Sequence, residues 1–339
     1  MNKILLAHGS GGRLTHELVR TLFLKAFDNP ALASLDDAAE VAVPAQADGG
    51  PAHLAFTTDS FVVKPLTFPG GDIGHLAVCG TVNDLVAKGA RPLALSAAFI
   101  IEEGLAMEEL KMIAASMSAA AREAGVAIVT GDTKVVERGG ADKLFITTAG
   151  VGAIIPGIEV GGARARPGDA VLVSGTLGDH GTAVMNVREG LGLEGDLVSD
   201  AAPLTGLLEA LVTAGVPLHV LRDPTRGGLA TTVAEIAAAS GLGIVLRETA
   251  IPVRPAVRAA CEMLGLDPLY VANEGKLIVV VPGEAADAAL AALRSHPLGR
   301  AAVRIGEVVA GPAAVRLRTS IGSHRPLLML EGDQLPRIC

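Results

Sequence analysis

The chain has 339 residues, half of them hydrophobic and 19% charged, so it carries enough apolar material for a packed core and is not a disordered polypeptide. At about 150 residues per domain, the length suggests two domains. A net charge of −8, seven Phe, one Tyr and no Trp argue against a nucleic-acid backbone binder or an aromatic stacking platform, and leave room for metal-bridged nucleotides.

The N-terminus Met1–Ala7, apolar only from Ile4, breaks at His8-Gly9-Ser10-Gly11-Gly12-Arg13, too early for a secretory signal. That loop presents backbone N–H groups of the kind that bind anions, or else is a simple N-terminal arm. Leu14, Leu18 and Leu22 then predict a helix over Leu14–Phe27. Ala38–Pro44 and His53–Thr58 read as short strands, and Ile73–Lys88 and Met107–Ala124 as helices. Leu93–Ile101, Val126–Thr130 and Leu144–Ile155 read as mostly buried strands. Pro156–Asp169 is rich in Gly and Pro and is the best candidate for a domain junction.

Beyond the junction, Ala170–Ser174, Gly243–Glu248, Leu277–Val281 and Val303–Val309 predict strands. Helices are predicted at His180–Arg188, Leu204–Ala214, Gly227–Ser240, Pro255–Leu264 and Glu284–Ser295. Mixed strand and helix order in both halves implies α/β or α+β layers in each. The last fourteen residues, Pro326–Cys339, read as an extended tail with a reach of up to roughly 46 Å. No apolar run approaches the ~20 residues of a membrane span, and three scattered Cys fit a reducing compartment, so a soluble cytoplasmic protein is expected.

There is no Walker A sequence, and the glycines at 190, 192 and 195 follow a helix rather than a strand, so a dinucleotide fingerprint is not expected. More informative are the aspartates near predicted element ends: Asp36-Asp37, Asp59, Asp84, Asp132 and Asp223. Carboxylates converging from separate elements would suit a hard cation and a polyphosphate. Each also has an ordinary reading: Asp223 before Pro224 as a helix N-cap, Asp132 after Gly131 as a turn residue, Asp36-Asp37 as a solvated turn. Lys134 and Glu274 could be a charge clamp and a proton acceptor, or surface ions. Cys339 ends the sequence in Pro336-Arg337-Ile338-Cys339, where a mobile arm would expose its thiol. Cys79 and Cys261 fall in helical patterns and read as buried apolar residues.

Taken together, several segments resemble the HypE family of hydrogenase maturation proteins, a carbamoyl dehydratase branch of the aminoimidazole ribonucleotide synthetase and selenophosphate synthetase superfamily. They are His8–Arg13, Asp36–Ala39, Thr57–Ser60, Thr81–Leu85, Thr130–Val136, Arg222–Leu229, Asn273–Gly275 and Pro336–Cys339, and they span nearly the whole chain. The Asp-rich motifs are shared across the superfamily; the Pro-Arg-Ile-Cys ending is specific to HypE.

The resemblance implies a two-domain α/β (α+β) fold in which the N-terminal sheets of a homodimer pair into a β-barrel. It implies an ATP-binding and dimerisation domain over residues 1–157, an α/β domain over 158–325, and a flexible tail over 326–339 carrying Cys339. The implied reaction is ATP-dependent dehydration of an S-carbamoyl group on Cys339 to a thiocyanate, which supplies the cyanide ligands of nickel–iron hydrogenase. The carbamoyltransferase HypF would be the donor and the HypC–HypD complex the acceptor. By the same resemblance Asp37, Asp59, Asp84 and Asp223 hold Mg²⁺. Gly131, Asp132, Thr133, Asn83, Gly11, Gly12 and Gly227 serve the nucleotide, and His8–Gly12 closes over the phosphates. Cys339 carries the reacting group, and Lys134 and Glu274 manage its N–H protons.

Overall fold

The computed structural model describes residues 4–5, 8, 12–27, 30–43, 52–193, 196–330 and 337–339. The chain opens with α1 (Arg13–Leu18), a π-helical turn at Val19–Phe23, α2 (Leu24–Phe27) and α3 (Pro30–Ala33). Strands β1 (Ala39–Val43) and β2 (Ala52–Phe61) follow, then the small β3 (Thr67–Phe68) and β4 (Gly71–Asp72) pair, then α4 (Ile73–Ala87). The first half closes with β5 (Ala90–Glu102), α5 (Met107–Ala124), β6 (Ala127–Val136) and β7 (Leu144–Ile154). The five long strands form one sheet in the order β1-β2-β7-β5-β6, antiparallel except for β5 and β6, whose parallel pairing is bridged by α5.

Helix α4 is the pivot of the molecule. Asp72 caps it by accepting from the N–H groups of Gly74 and His75 at 2.8 and 2.9 Å. It is apolar all round, and every residue except His75 and Asp84 is buried. One side lies on the first sheet and the other reaches β9 and α7 of the second half. Helix α5 is one-sided by contrast: Ile113, Met117, Ala120, Ala121 and Ala124 face the core. It stops at Gly125, which takes the left-handed conformation with a φ of 71°.

The second half comprises β8 (Ala170–Val173), α6 (Asp179–Arg188), α7 (Thr205–Thr213), β9 (Val220–Arg222), α8 (Gly228–Ser240) and β10 (Gly243–Arg247). It continues with α9 (Pro255–Leu264), β11 (Ile278–Val281), α10 (Ala286–Ser295), β12 (Val303–Val309), β13 (Ala314–Arg318) and β14 (His324–Pro326). Its seven-stranded sheet runs β14-β13-β10-β12-β8-β11-β9, with only the β10 and β13 pair parallel. Strands β8 and β11 are buried on both faces. Leu172, Val279 and Val281 join a core that includes α4 and α7, whereas Val171, Ile278 and Val280 pack with α8. One hydrophobic core therefore runs continuously from the first sheet into the second.

Most predicted elements are present, with four differences, the first being that the strand expected to be buried at Val126–Thr130 is exposed from Ala127 onward, because β6 is the edge of its sheet. Strand β6 continues through Gly131-Asp132-Thr133-Lys134 to Val136, so Asp132 lies within a strand and not in a turn. A Cβ at Gly131 would sit 2.1 Å from the Ala97 carbonyl oxygen, so this glycine admits close strand pairing. Helix α8 begins at Gly228 with Gly227 as its cap, so Asp223 is not an N-cap but belongs to the loop after β9. Asp36 and Asp37 are largely buried, paired with Lys88 and Arg222, and do not form a solvated turn. Among the described residues, no helix is long and apolar enough to cross a membrane.

Candidate active site

The site forms where the two halves meet. In the pleat of β2, Thr57, Asp59 and Phe61 share the face that looks toward α4. Asp84 stands on α4 one turn after Gly80, and its Oδ2 accepts from the Thr57 hydroxyl at 2.6 Å. From the other half, the β9–β11 pairing sets Arg222 opposite Ile278. This brings the loop after β9 to the same end of the sheet as the loop before β11. The first loop supplies Asp223, Thr225 and Arg226, and the second supplies Glu274. With Asp37 and Cys339, these residues line a cavity of about 230 Å³. Gly227 and Gly228 hold the turn into α8 with φ of 80° and 59°, a left-handed pair that L side chains resist.

Charge at this cavity is heavily one-sided. Burial pushes the Asp84 carboxyl well above its usual range, and the charges of Asp59, Asp223 and Asp37 push it further. Burial likewise raises Asp37, against the opposing pull of Arg222. It raises Asp59 against Arg226, and brings Asp223 up to about 6 despite Arg222. Glu274 is raised well above normal by burial, then by Asp223, Asp200 and Asp59. Its Oε1 is buried and has no hydrogen-bond partner among the described residues. The Cys339 thiol is pushed up to about 12 by burial and by the nearby carboxylates, with Arg226 pulling the other way.

Several groups that the sequence motifs did not single out organise this cluster. Arg222 lies 2.7 Å from Asp37 Oδ2 and also pairs with Glu235, which in turn contacts His16 at 2.9 Å. Asp37, Arg222, Asp223, Arg226, Thr231 and Glu235 border a second cavity of about 210 Å³ beside the first. Asp200 accepts from Lys276 Nζ at 2.9 Å and from the N–H groups of Glu274 and Gly275 at 3.2 and 3.3 Å, fixing the backbone that carries Glu274. Arg222 and Arg226 flank Asp223 in the sequence, a visible signal; Asp200 sits in no motif.

The last three residues are docked. The N–H of Val62 donates to the Cys339 carbonyl at 3.2 Å, and that of Lys64 to the Arg337 carbonyl at 3.3 Å, so the tail pairs with the segment that follows β2. Ile338 is buried, and Arg337 pairs with Asp142 at 2.5 Å. The thiol therefore faces the acidic cavity instead of standing exposed on an arm.

Not every candidate residue is here. Asp132 and Lys134 pair with each other at 2.8 Å on β6, 63% and 68% exposed, away from the acidic cavity. Gly131, Asp132 and Thr133 instead line an open groove of about 870 Å³ between β6 and α5, a size typical of small-molecule sites. Asn83 is fully buried; its amide donates to the carbonyls of Ala202 and Glu274 at 3.1 Å each and accepts from Leu204 N–H at 2.9 Å. It clamps the two halves together. Gly12 caps α1, and the following N–H donates to Leu330 O at 2.9 Å. Gly11, with the neighbouring positions 9 and 10, and Gly195 and Pro336 lie outside the described residues.

Chemically, the donor set is all hard oxygen, buried and mutually repelling, which is what a divalent cation relieves. Among the described residues, no group of three or more His, Cys, Asp or Glu side chains is gathered as a metal site. An unsatisfied carboxylate oxygen in a cavity shared with a thiol is suited to taking a proton from a group carried on that sulfur.

Comparison with known proteins follows the same lines. Residues 35–154 match the family described as AIR synthase related protein, N-terminal domain, and residues 166–317 match its C-terminal domain. The carbamoyl dehydratase HypE of Escherichia coli (strain K12) is 55% identical over 340 residues, covering 100% of both chains. A crystal structure of HypE in complex with ATP superposes with a TM-score of 0.83 at 53% identity, covering 99% of this chain and 100% of that one. A chain of a HypE–HypF complex gives a TM-score of 0.86 at 50% identity, covering 92% of this chain and 99% of that one.

Proposed function

The chain belongs to the HypE carbamoyl dehydratases of the AIR synthase-related family, ATP-binding enzymes of hydrogenase maturation, and from that premise we propose that Cys339 carries the group it dehydrates. The observation that supports this most is the position of Cys339, which shares one cavity with Glu274 and four aspartates. A thiol pushed up to about 12 is a poor nucleophile at neutral pH. The docked tail is therefore the state for dehydration, and the thiol accepts its carbamoyl group elsewhere, with HypF as the donor. An uncharged thiocarbamate is also better tolerated among carboxylates than a thiolate.

The thiocarbamate oxygen attacks the γ-phosphorus of ATP and ADP departs. The C–O bond then breaks with phosphate as the leaving group, and the nitrogen loses two protons, leaving a protein thiocyanate. Positioning and charge neutralisation dominate such phosphoryl transfers. Asp37, Asp59, Asp84 and Asp223 would hold Mg²⁺, which offsets the charge of the triphosphate. Arg226 adds a fixed positive charge beside Cys339. Glu274 accepts a proton from the nitrogen, its free Oε1 giving it the position and its raised pKa the basicity.

Within one chain Lys134 does not reach this cavity. Strand β6 is an edge exposed along nearly its whole length, with Ile128, Val129 and Val135 open to solvent. Long apolar edges of this kind are normally covered. Pairing of this sheet with that of a second copy, closing a barrel, would cover it and carry Gly131, Asp132, Thr133 and Lys134 to the partner. There Lys134 serves as a phosphate clamp. The remaining elements of this reading are domains at residues 1–157 and 158–325, a nucleotide contact by Gly11, Gly12 and Gly227, transfer of cyanide to a HypC–HypD complex, and a cytoplasmic location suited to free thiols.

The test is the intact mass of the protein after incubation with its carbamoyltransferase, carbamoyl phosphate and ATP, mapped to the C-terminal peptide. A carbamoyl adduct on Cys339 that loses one water only when ATP is present is expected. An unmodified Cys339 beside an active transferase would overturn the reading.

A further inference from the structure

We propose that His180 is the positioning residue that seats the Arg337-Ile338-Cys339 segment at the acidic cavity, with Arg188 as its partner. This rests on the reading that Cys339 carries the reacting group. His180 lies at the start of α6 and is completely buried, with Phe68 edge-on to its ring at 5.4 Å. Its Nε2 is 2.9 Å from the Ile338 carbonyl oxygen, and its Nδ1 is 2.8 Å from Ser199 Oγ. A carbonyl only accepts, so Nε2 carries the proton. Burial favours the neutral ring, so Nδ1 is left as an acceptor and the Ser199 hydroxyl donates to it, while the Ser199 oxygen accepts from the Ala201 N–H at 3.1 Å. The network thus selects one neutral tautomer, and its single N–H points at the tail.

Arg188, two turns further along α6, donates through Nε to the Lys64 carbonyl at 2.6 Å and through its second amino group to the Arg337 carbonyl. His180 and Arg188 therefore read two successive carbonyls of the tail from one helix face, and the Ile338 side chain is buried in the main hydrophobic core. Arg337 adopts a left-handed backbone with a φ of 55°, a conformation that costs a non-glycine residue energy and persists only when its surroundings hold it. The tail is thus held by its Arg337 and Ile338 carbonyls, by the buried Ile338 side chain and by the Arg337 pair with Asp142, so the Cys339 side chain supplies none of these holding contacts.

The experiment measures iodoacetamide labelling of Cys339 in the full-length protein, quantified on the C-terminal peptide by mass spectrometry, with labelling of buried Cys79 as the folding control. It needs neither ATP nor a carbamoyl donor, so seating can succeed while the proposed reaction fails, and the two outcomes are separable. Loss of one buried hydrogen bond to the tail should speed labelling in His180→Ala by about tenfold. Arg188→Ala, on the more accessible side, should also speed it. His180→Gln should label at nearly the wild-type rate, because a carboxamide offers an N–H to Ile338 and an oxygen to Ser199. Should His180→Ala expose Cys79, Arg188→Ala and His180→Gln decide. Wild-type labelling in Arg188→Ala, or labelling of His180→Gln as fast as that of an unseated tail, would overturn the proposal.

Discussion

Glu274 and Cys339 line the same cavity, the first with a carboxylate oxygen lacking any partner among the described residues and the second with a thiol held protonated by burial. A base in this position must be ionised to act. Burial and the charges of Asp223, Asp200 and Asp59 raise its pKa well above the usual glutamate value. The dehydration rate should therefore climb with pH through that raised pKa. Glu274→Gln should lower the single-turnover rate about 100-fold or more while leaving ATP affinity unchanged. A rate within twofold of wild type would remove Glu274 from the base role.

Clustered carboxylates also make stability depend on pH and on cation. Asp223 titrates at about 6 in the folded chain, against ~3.9 for an unfolded aspartate. Between these values the folded state binds more protons. Its stabilisation is complete below the unfolded pKa and is lost as pH rises through the folded one. Asp37, Asp59 and Asp84 shift in the same direction. Asp142 and Asp200, shifted the other way, already contribute fully by pH 5, whereas His180, lowered from 6.5 by burial, adds stability as pH rises toward that value and offsets part of the fall. Without divalent cations, Tm by calorimetry should fall between pH 5 and 7.5, Mg²⁺ should narrow that fall, and Asp223→Asn should reduce it. An equal drop in Asp223→Asn would separate the effect from this cluster.

Much of this architecture was legible because α4 and α5 carry unbroken patterns with clear ends; α5 runs over the predicted Met107–Ala124. In the sequence Gly131-Asp132 looks like a turn in the middle of β6, and only the approach to Ala97 explains a glycine inside a strand. Strands β9 and β14, with three residues each, are too short to show a period. At the site, the aspartates and Glu274 stood out through their motifs. The ion pair of Arg222 with Asp37, the anchoring of the Glu274 loop by Asp200 and the hold of His180 on Ile338 join residues far apart in sequence. Only the fold brings those groups together.

Asn83 shows how a motif residue can be structural. Its three hydrogen bonds tie α4 to the segment around Ala202–Leu204 and to the Glu274 carbonyl. Asn83→Ala leaves two carbonyls and one N–H buried without partners, at a cost of about 1–3 kcal/mol for each. The expected result is a fall in Tm of several degrees. Below the transition, calorimetry should find ATP affinity reduced only as far as the halves separate. An unchanged Tm with lost ATP binding would instead make Asn83 a direct nucleotide contact.

Val129 and Val135 are 65% and 68% exposed on β6, a ten-residue strand whose described partner lies on one side only. A strand that long, apolar and unpaired invites association through its free edge. A dimer built through it would bury both valines. Val135→Glu places a charge that would meet its own copy or an apolar neighbour there, and desolvating it opposes association. In the monomer the same side chain stays in water, and the fold should be undisturbed. Sedimentation should therefore find wild type as a dimer and Val135→Glu shifted toward monomer, with unchanged circular dichroism. Dehydration should fall with dimer content, because under the proposed pairing Lys134 would reach an acidic cavity across that edge. A Val135→Glu protein that remains dimeric would place the interface on another surface, and a fully active monomer would exclude Lys134 from the reaction.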